Sequence, residues 1–145
     1  MDHYGTFNDI LSNLFQEIMT IEGRKLITRE FSDITNNDMH IIEAVGIEEP
    51  RNMSTVAAKM MVTVGTLTTA VNGLVKKGYI ERIRGEKDRR VVNLVLTDKG
   101  RKAYAHHRKF HEDMVEALIH NLSEDEANVL VKALQNVHDF FDTHK

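Results

Sequence analysis

NMSTVAAKMMVTVGTLTTAVNGLVKKG at residues 52–78, followed directly by YIERIRGEKDRRVVNLVLTDKG at residues 79–100, decides the fold of this 145-residue chain. In the first stretch Val56 and Met60, then Leu67, Val71 and Leu74, recur at three- and four-residue steps. That is the period of helices with one buried face. Residues 54–61 are expected to form a short helix with Ser54 as its N-cap, and residues 64–77 a second one ended by Gly78. Ala57 and Ala58 are small enough for the second helix to cross closely, and only Met61–Val64 joins the two. Two short helices linked by a tight turn make a helix-turn-helix. The period then changes. Residues 79–84 read as extended, and in residues 91–97 Val92, Leu94 and Leu96 alternate onto one face. The polar run at residues 85–90 between them suits a hairpin tip.

Working outward, residues 6–28 predict a helix, with Phe7, Ile10, Leu11, Leu14, Phe15, Ile18 and Ile21 on one face. Residues 35–46 predict another, opened by Thr35 with Asp38 in a capping box and stopped by Gly46. Residues 46–53 hold the only proline and read as a connection. After the hairpin, Thr97 and Asp98 cap a long helix to about residue 120. Ser123 with Glu126 opens a last helix carrying Leu130, Leu134, Val137 and Phe141 on one face. The expected fold is mainly α with a small β-hairpin wing: one domain over residues 1–145. Residues 34–97 form its winged helix-turn-helix, and residues 1–33 and 98–145 its helical part.

The net charge of −3 hides an uneven distribution. Residues 76–102 hold 10 of the 19 Lys and Arg but 4 of the 22 Asp and Glu, a local balance of +6 against −9 elsewhere. A basic centre in an acidic chain binds phosphate locally. Cysteine is absent, so neither disulfides nor a thiolate nucleophile are available. The opening MDHYGTFNDI has no basic stretch before an apolar run, so no secretory signal is expected, and no apolar run reaches the length of a membrane span. A cytoplasmic location is the expectation. No glycine-rich phosphate loop or nucleophile–base pattern is present, so an enzyme is not expected. Ser12, Ser32, Ser54 and Ser123 sit in capping or turn contexts.

The second helix of the motif carries an exposed face of Thr63, Gly65, Thr66, Thr68, Thr69 and Asn72. Short hydroxyl and amide side chains reach base edges and phosphates in a major groove without filling it. The alternative is a threonine-rich solvent face, but threonine is a mediocre helix former. Ser54 and Lys76 complete the candidate set on the helices. In the wing Arg82, Arg84, Lys87, Arg89 and Arg90 crowd a short hairpin, which suits the negative potential of a minor groove. Asp88 sits among them and is expected to hold an arginine in place. Double-stranded DNA is therefore the expected partner.

The wing resembles that of the MarR family: Asp88 and Arg90 form its Asp-x-Arg, and Leu96, Thr97 and Gly100 its Leu-Thr-x-x-Gly. The resemblance implies a homodimer built from the terminal helices, with two recognition helices about 34 Å apart on DNA. The stretches DMHIIEAVG, MMVTVGTLTTAVNGLVKKGYIERIR and DRRVV are similar to a subgroup of that family that represses fatty-acid synthesis genes in Gram-positive bacteria. That similarity implies a palindromic operator, with long-chain acyl-acyl carrier protein as corepressor and no bound cofactor.

Two ligand chemistries are open in the helical part. Phe15, Met19, Ile42, Val45, Phe110 and Met114 are candidates to line an acyl cavity between the first, second and fifth helices, or are ordinary core. His107 and His111 are four residues apart on one helical face, and His40 lies on the second helix. A zinc-responsive subgroup of the family has histidines at similar places but also uses a cysteine, so no metal is expected. A response to zinc or to an aromatic small molecule stays as the alternative.

Overall fold

Residues 2–144 are described by a computed structural model, in which every helix opens on a side-chain acceptor. Asp2 caps α1 (His3–Leu26) through Gly5 N at 3.0 Å. Thr35 and Asp38 form the expected capping box of α2 (Asn36–Val45), as Ser123 and Glu126 do for α6 (Glu124–Thr143). Thr97 Oγ1 accepts from Gly100 N at 3.1 Å in the first turn of α5 (Asp98–Ile119). Thr63 accepts from Thr66 N at 3.1 Å and opens α4 (Val64–Lys76). Each such cap is worth about 1 kcal/mol.

The connection at residues 46–53 differs from expectation. Arg51–Asn52 forms a two-residue strand, β1, paired with β3 (Val92–Leu96), which also pairs with β2 (Ile80–Arg84). The wing is thus a three-stranded antiparallel sheet in the order β1-β3-β2, rather than a hairpin alone. The same pairing corrects the predicted cap of α3 (Met53–Met60). Asn52, held extended, accepts from Thr55 N at 2.8 Å and takes the capping position, so Ser54 lies exposed inside the first turn.

The chain forms two compact units that divide between Phe110 and His111. The core belongs to the first. Leu67, Val71 and Leu74 from α4 pack with Val56 and Ala57 from α3, Met39, Ile42 and Val45 from α2, and Ile80, Leu94 and Leu96 from the sheet. Each large apolar side chain buried there contributes roughly 1.5–3 kcal/mol. Ala58 is exposed, so only Ala57 serves the close crossing. The turn between α3 and α4 places Met61 in the left-handed region at φ 54°, where its N–H bonds Ala58 O and Val62 N–H bonds Ala57 O.

Gly78, at φ +84°, ends α4 and lets Tyr79 N–H reach back to Leu74 O at 2.9 Å. Thr97 then ties the root of the wing to this corner: its hydroxyl lies 2.5 Å from Gly78 O and 3.1 Å from Tyr79 O. Tyr79 is fully buried and donates to Asp33 Oδ1 at 2.6 Å, while Lys99 Nζ lies 4.4 Å above its ring. In α6 no residue is buried, and Val131, Leu134, Phe140 and Phe141 are all at least half exposed. Phe7, Ile10, Phe15 and Met19 are likewise exposed on α1. Among the described residues no helix is long and apolar enough to cross a membrane.

Candidate nucleic-acid interface

Burial of Leu67, Val71 and Leu74 turns the opposite face of α4 outward. Gly65, Thr69, Asn72 and Lys76 follow one another at four-, three- and four-residue steps along it, with Thr66 beside them, and all five are exposed. The threonines are locally satisfied. Thr63 Oγ1 bonds Thr66 Oγ1 at 3.0 Å and Thr68 Oγ1 donates to Val64 O at 2.8 Å. Their hydroxyls therefore keep lone pairs for an incoming donor without destabilising the free helix. Ser54 stands exposed on α3.

Asn72 departs from its companions. Its Oδ1 accepts from Arg82 Nη2, so its amide is turned toward β2. The sequence marks Arg82 only as one of the wing cations. Its signal is register: Arg82 lies opposite Leu94, on the side of the sheet that faces the helices.

The tip is tight. Gly85 N–H bonds Val91 O at 2.9 Å, and a Cβ on Gly85 would lie 2.6 Å from Asp88 O. Asp88 holds Arg90 by a fork: Nε to Oδ1 and Nη2 to Oδ2, both at 3.1 Å, with Arg90 N–H to Oδ1 at 3.0 Å. These bonds hold the Asp88 carboxyl below the usual carboxylate range. The Arg90 side chain is 92% exposed, so the fork orients a guanidinium that remains available. Arg84, Lys87 and Arg89 are exposed and without an ion pair among the described residues.

A second constellation lies between α1, α2 and α5. His107, 1% exposed, has Nε2 3.1 Å from Glu22 Oε1 and Nδ1 3.0 Å from Glu43 Oε2. His40 Nε2 is 3.4 Å from the same Glu22 oxygen, and the two imidazoles meet edge to face at 5.2 Å. Ligand atoms of His40, Glu43 and His107 all lie within 4.8 Å of one another. Sequence reasoning found the histidines and missed both carboxylates. Glu43 is three residues from His40, and Glu22 falls four after Ile18 on an otherwise apolar helix face. His111 belongs to the second unit.

Of the six candidate acyl contacts, five fall in the first unit and Met114 in the second. Ile42 and Val45 are buried at 0% and 1% in the core, and Phe110 packs partly buried against it. Phe15 and Met19 are 69% and 50% exposed on α1.

Residues 34–92 match the model of the MarR family. The crystal structure of Streptococcus pneumoniae FabT in complex with DNA is 42% identical, with 98% of this chain and 99% of that one covered at a TM-score of 0.90. The HTH-type transcriptional regulator SarZ of Staphylococcus haemolyticus is 30% identical over 132 residues, 88% of each chain. Its namesake in Staphylococcus saprophyticus is 38% identical over 73 residues, a match spanning about half (49%) of that relative's length.

Proposed function

This chain belongs to the MarR family of DNA-binding transcription regulators, and from that premise we propose that it represses fatty-acid synthesis genes by binding a palindromic operator as a homodimer, with long-chain acyl-acyl carrier protein as corepressor. The observation that carries the finer reading is the 42% identity to FabT over essentially the whole chain. The Thr66–Thr69 face of α4 reads the major groove, while Arg84, Lys87, Arg89 and the Asp88-oriented Arg90 hold phosphates and the minor groove. The apolar residues exposed on α1 and on α6 support dimerisation, because such faces are seldom left to water. Phe15 and Met19 remain accessible to an acyl chain on α1, whereas Ile42 and Val45 are committed to the core.

A second reading, response to a divalent cation such as zinc, is favoured by one observation: His40, Glu43 and His107 converge. Two imidazoles and a carboxylate suit zinc, and those residues would hold it. One gel-shift series separates the two. It uses a palindrome from a lipid-synthesis promoter with no addition, with long-chain acyl carrier protein, and with zinc. Tighter binding with the acyl species alone is the expected result. Tightening by zinc, abolished by His40→Ala, with no acyl effect would replace the first reading by the second.

A further inference from the structure

We propose that Arg82 is a DNA-backbone phosphate contact and that Asn72, rather than reading a base, positions its guanidinium. The proposal deepens the DNA-binding reading and rests on it.

Register is the first ground. Ile80 lies opposite Leu96, Arg82 opposite Leu94 and Arg84 opposite Val92. Directly paired residues of antiparallel strands share a face. Leu94, Leu96 and Ile80 are buried in the core, so Arg82 and Arg84 project on the helical side of the sheet. Arg82 is nevertheless exposed: the strand runs past the edge of the core, and its guanidinium comes to lie beside α4, where Asn72 Oδ1 meets it.

Charge is the second ground. Among the described residues no carboxylate lies within ion-pair distance of Arg82, and its one hydrogen-bond partner is the neutral amide of Asn72. The contrast with Arg90 is direct, since Asp88 both orients and neutralises that arginine. A neutral acceptor fixes one guanidinium N–H and leaves the full positive charge and the remaining donors for an anion. Of Arg82 and Arg90, each held by a side chain in the winged part, Arg82 is thus the one whose charge is uncompensated.

Position along the helix is the third. Asn72 is the ninth of the thirteen residues of α4, about 9 Å beyond Thr66 at helical rise. The N-terminal residues of a recognition helix contact base edges. At the junction of α4 with β2, between a helix in the major groove and a wing at the minor groove, the DNA presents the phosphates that separate the grooves. The pair also ties the wing strand to the recognition helix, so the two elements engage adjacent grooves in a fixed relation.

The test measures affinity from 50 to 300 mM salt by fluorescence anisotropy, on the operator and on a scrambled duplex of equal length. The proteins are wild type, Arg82→Ala, Arg82→Lys, Asn72→Ala and the Arg82→Ala/Asn72→Ala double variant. Arg82→Ala is expected to weaken binding roughly tenfold on both duplexes. It should also flatten the slope of log affinity against log salt by about 0.9. Arg82→Lys should restore the slope. Asn72→Ala should weaken both duplexes by a smaller factor and add nothing to Arg82→Ala. An unchanged slope in Arg82→Ala overturns the phosphate contact. A loss in Asn72→Ala confined to the operator and independent of Arg82 overturns the positioning role and makes Asn72 a base reader. The slopes can be read on scrambled DNA alone, so a wrong operator sinks only the fatty-acid assignment. A wild-type protein that binds neither duplex overturns both.

Discussion

Gly100→Ala sets two rules in opposition. Gly100 is buried in the first turn of α5, and helix propensity alone favours alanine there by about 1 kcal/mol. A Cβ at this position, however, would sit 2.1 Å from Tyr79 O, 3.1 Å from Tyr79 C and 3.2 Å from Leu96 Cβ. More than an ångström of movement is needed, and the obstacle is backbone. Tyr79 O cannot yield freely, because it accepts from Thr97 N and lies within reach of Thr97 Oγ1, both at 3.1 Å. Displacing it loses one or two hydrogen bonds at about 1 kcal/mol each. Overpacking adds about 1–3 kcal/mol. Net of propensity, the variant should be less stable by about 1–4 kcal/mol, which at roughly 4 °C per kcal/mol lowers Tm by about 4–16 °C. Gly73→Ala is the control. It lies inside α4 with nothing within 4 Å of an added Cβ, and should gain up to about 1 kcal/mol. Thermal unfolding followed by circular dichroism, at one protein concentration for all variants, reads both. A Gly100→Ala protein as stable as wild type, or rising alongside Gly73→Ala, would refute the close approach and with it this account of the Leu-Thr-x-x-Gly motif.

Asp88→Asn separates orientation from charge in the wing. It makes the protein more basic, so simple electrostatics predicts tighter DNA binding, whereas loss of the fork on Arg90 predicts weaker operator binding despite the added charge. Tighter binding would dismiss the organising role. Thr66→Ala should lower the ratio of operator to scrambled affinity, and equal losses on both duplexes would contradict base reading. Tyr79→Phe should flatten the pH dependence of stability at both ends. Burial, then the bond to Asp33, raise the Tyr79 phenol above its ordinary value. That contribution is complete below about pH 10 and is lost as pH rises beyond it. The Tyr79 hydrogen bond lowers Asp33, whose contribution is present above about pH 4 and is lost as pH falls through the depressed value. Urea unfolding from pH 3 to 11 measures both limbs, and parallel curves for wild type and variant would refute the coupling.

Short-range chemistry made most of this legible in advance. Thr35 with Asp38, Ser123 with Glu126, and Gly46 and Gly78 at φ +73° and +84° are local events, written within four residues of where they act. The Asp88–Arg90 fork likewise spans two residues. What escaped depends on distant partners. β1 is two residues long, too short for any period to show, and exists because Arg51 pairs with Leu94. Its formation moved the cap of α3 from Ser54 to Asn52. Glu22 meets His107 across 85 positions. The apolar stripes of α1 and α6 were plain from their period, yet period reports a face and not what covers it.

One helix connects the His–Glu constellation to the helix proposed to read DNA. In α2, His40 and Glu43 are three residues apart and turn toward Glu22 and His107, while Met39, Ile42 and Val45 are buried in the core that carries α3 and α4. Both ends of α2 are fastened. The capping box at Thr35 closes the start, and Arg51 Nη1 donates to Ala44 O at 2.6 Å at the finish. A helix fixed at both ends moves as a body rather than unwinding. A ligand acting on α1, α2 or α5 must favour one placement of these helices over another to have any effect, and that preference reaches α4 through the packed residues of α2. In a two-fold dimer a small rotation of each such unit changes the distance between recognition helices, which DNA fixes at about 34 Å. Acyl and metal ligands would therefore converge on the same lever, and would differ in where they engage it: at the exposed Phe15 and Met19 of α1, or at His40 and Glu43 of α2 with His107 of α5.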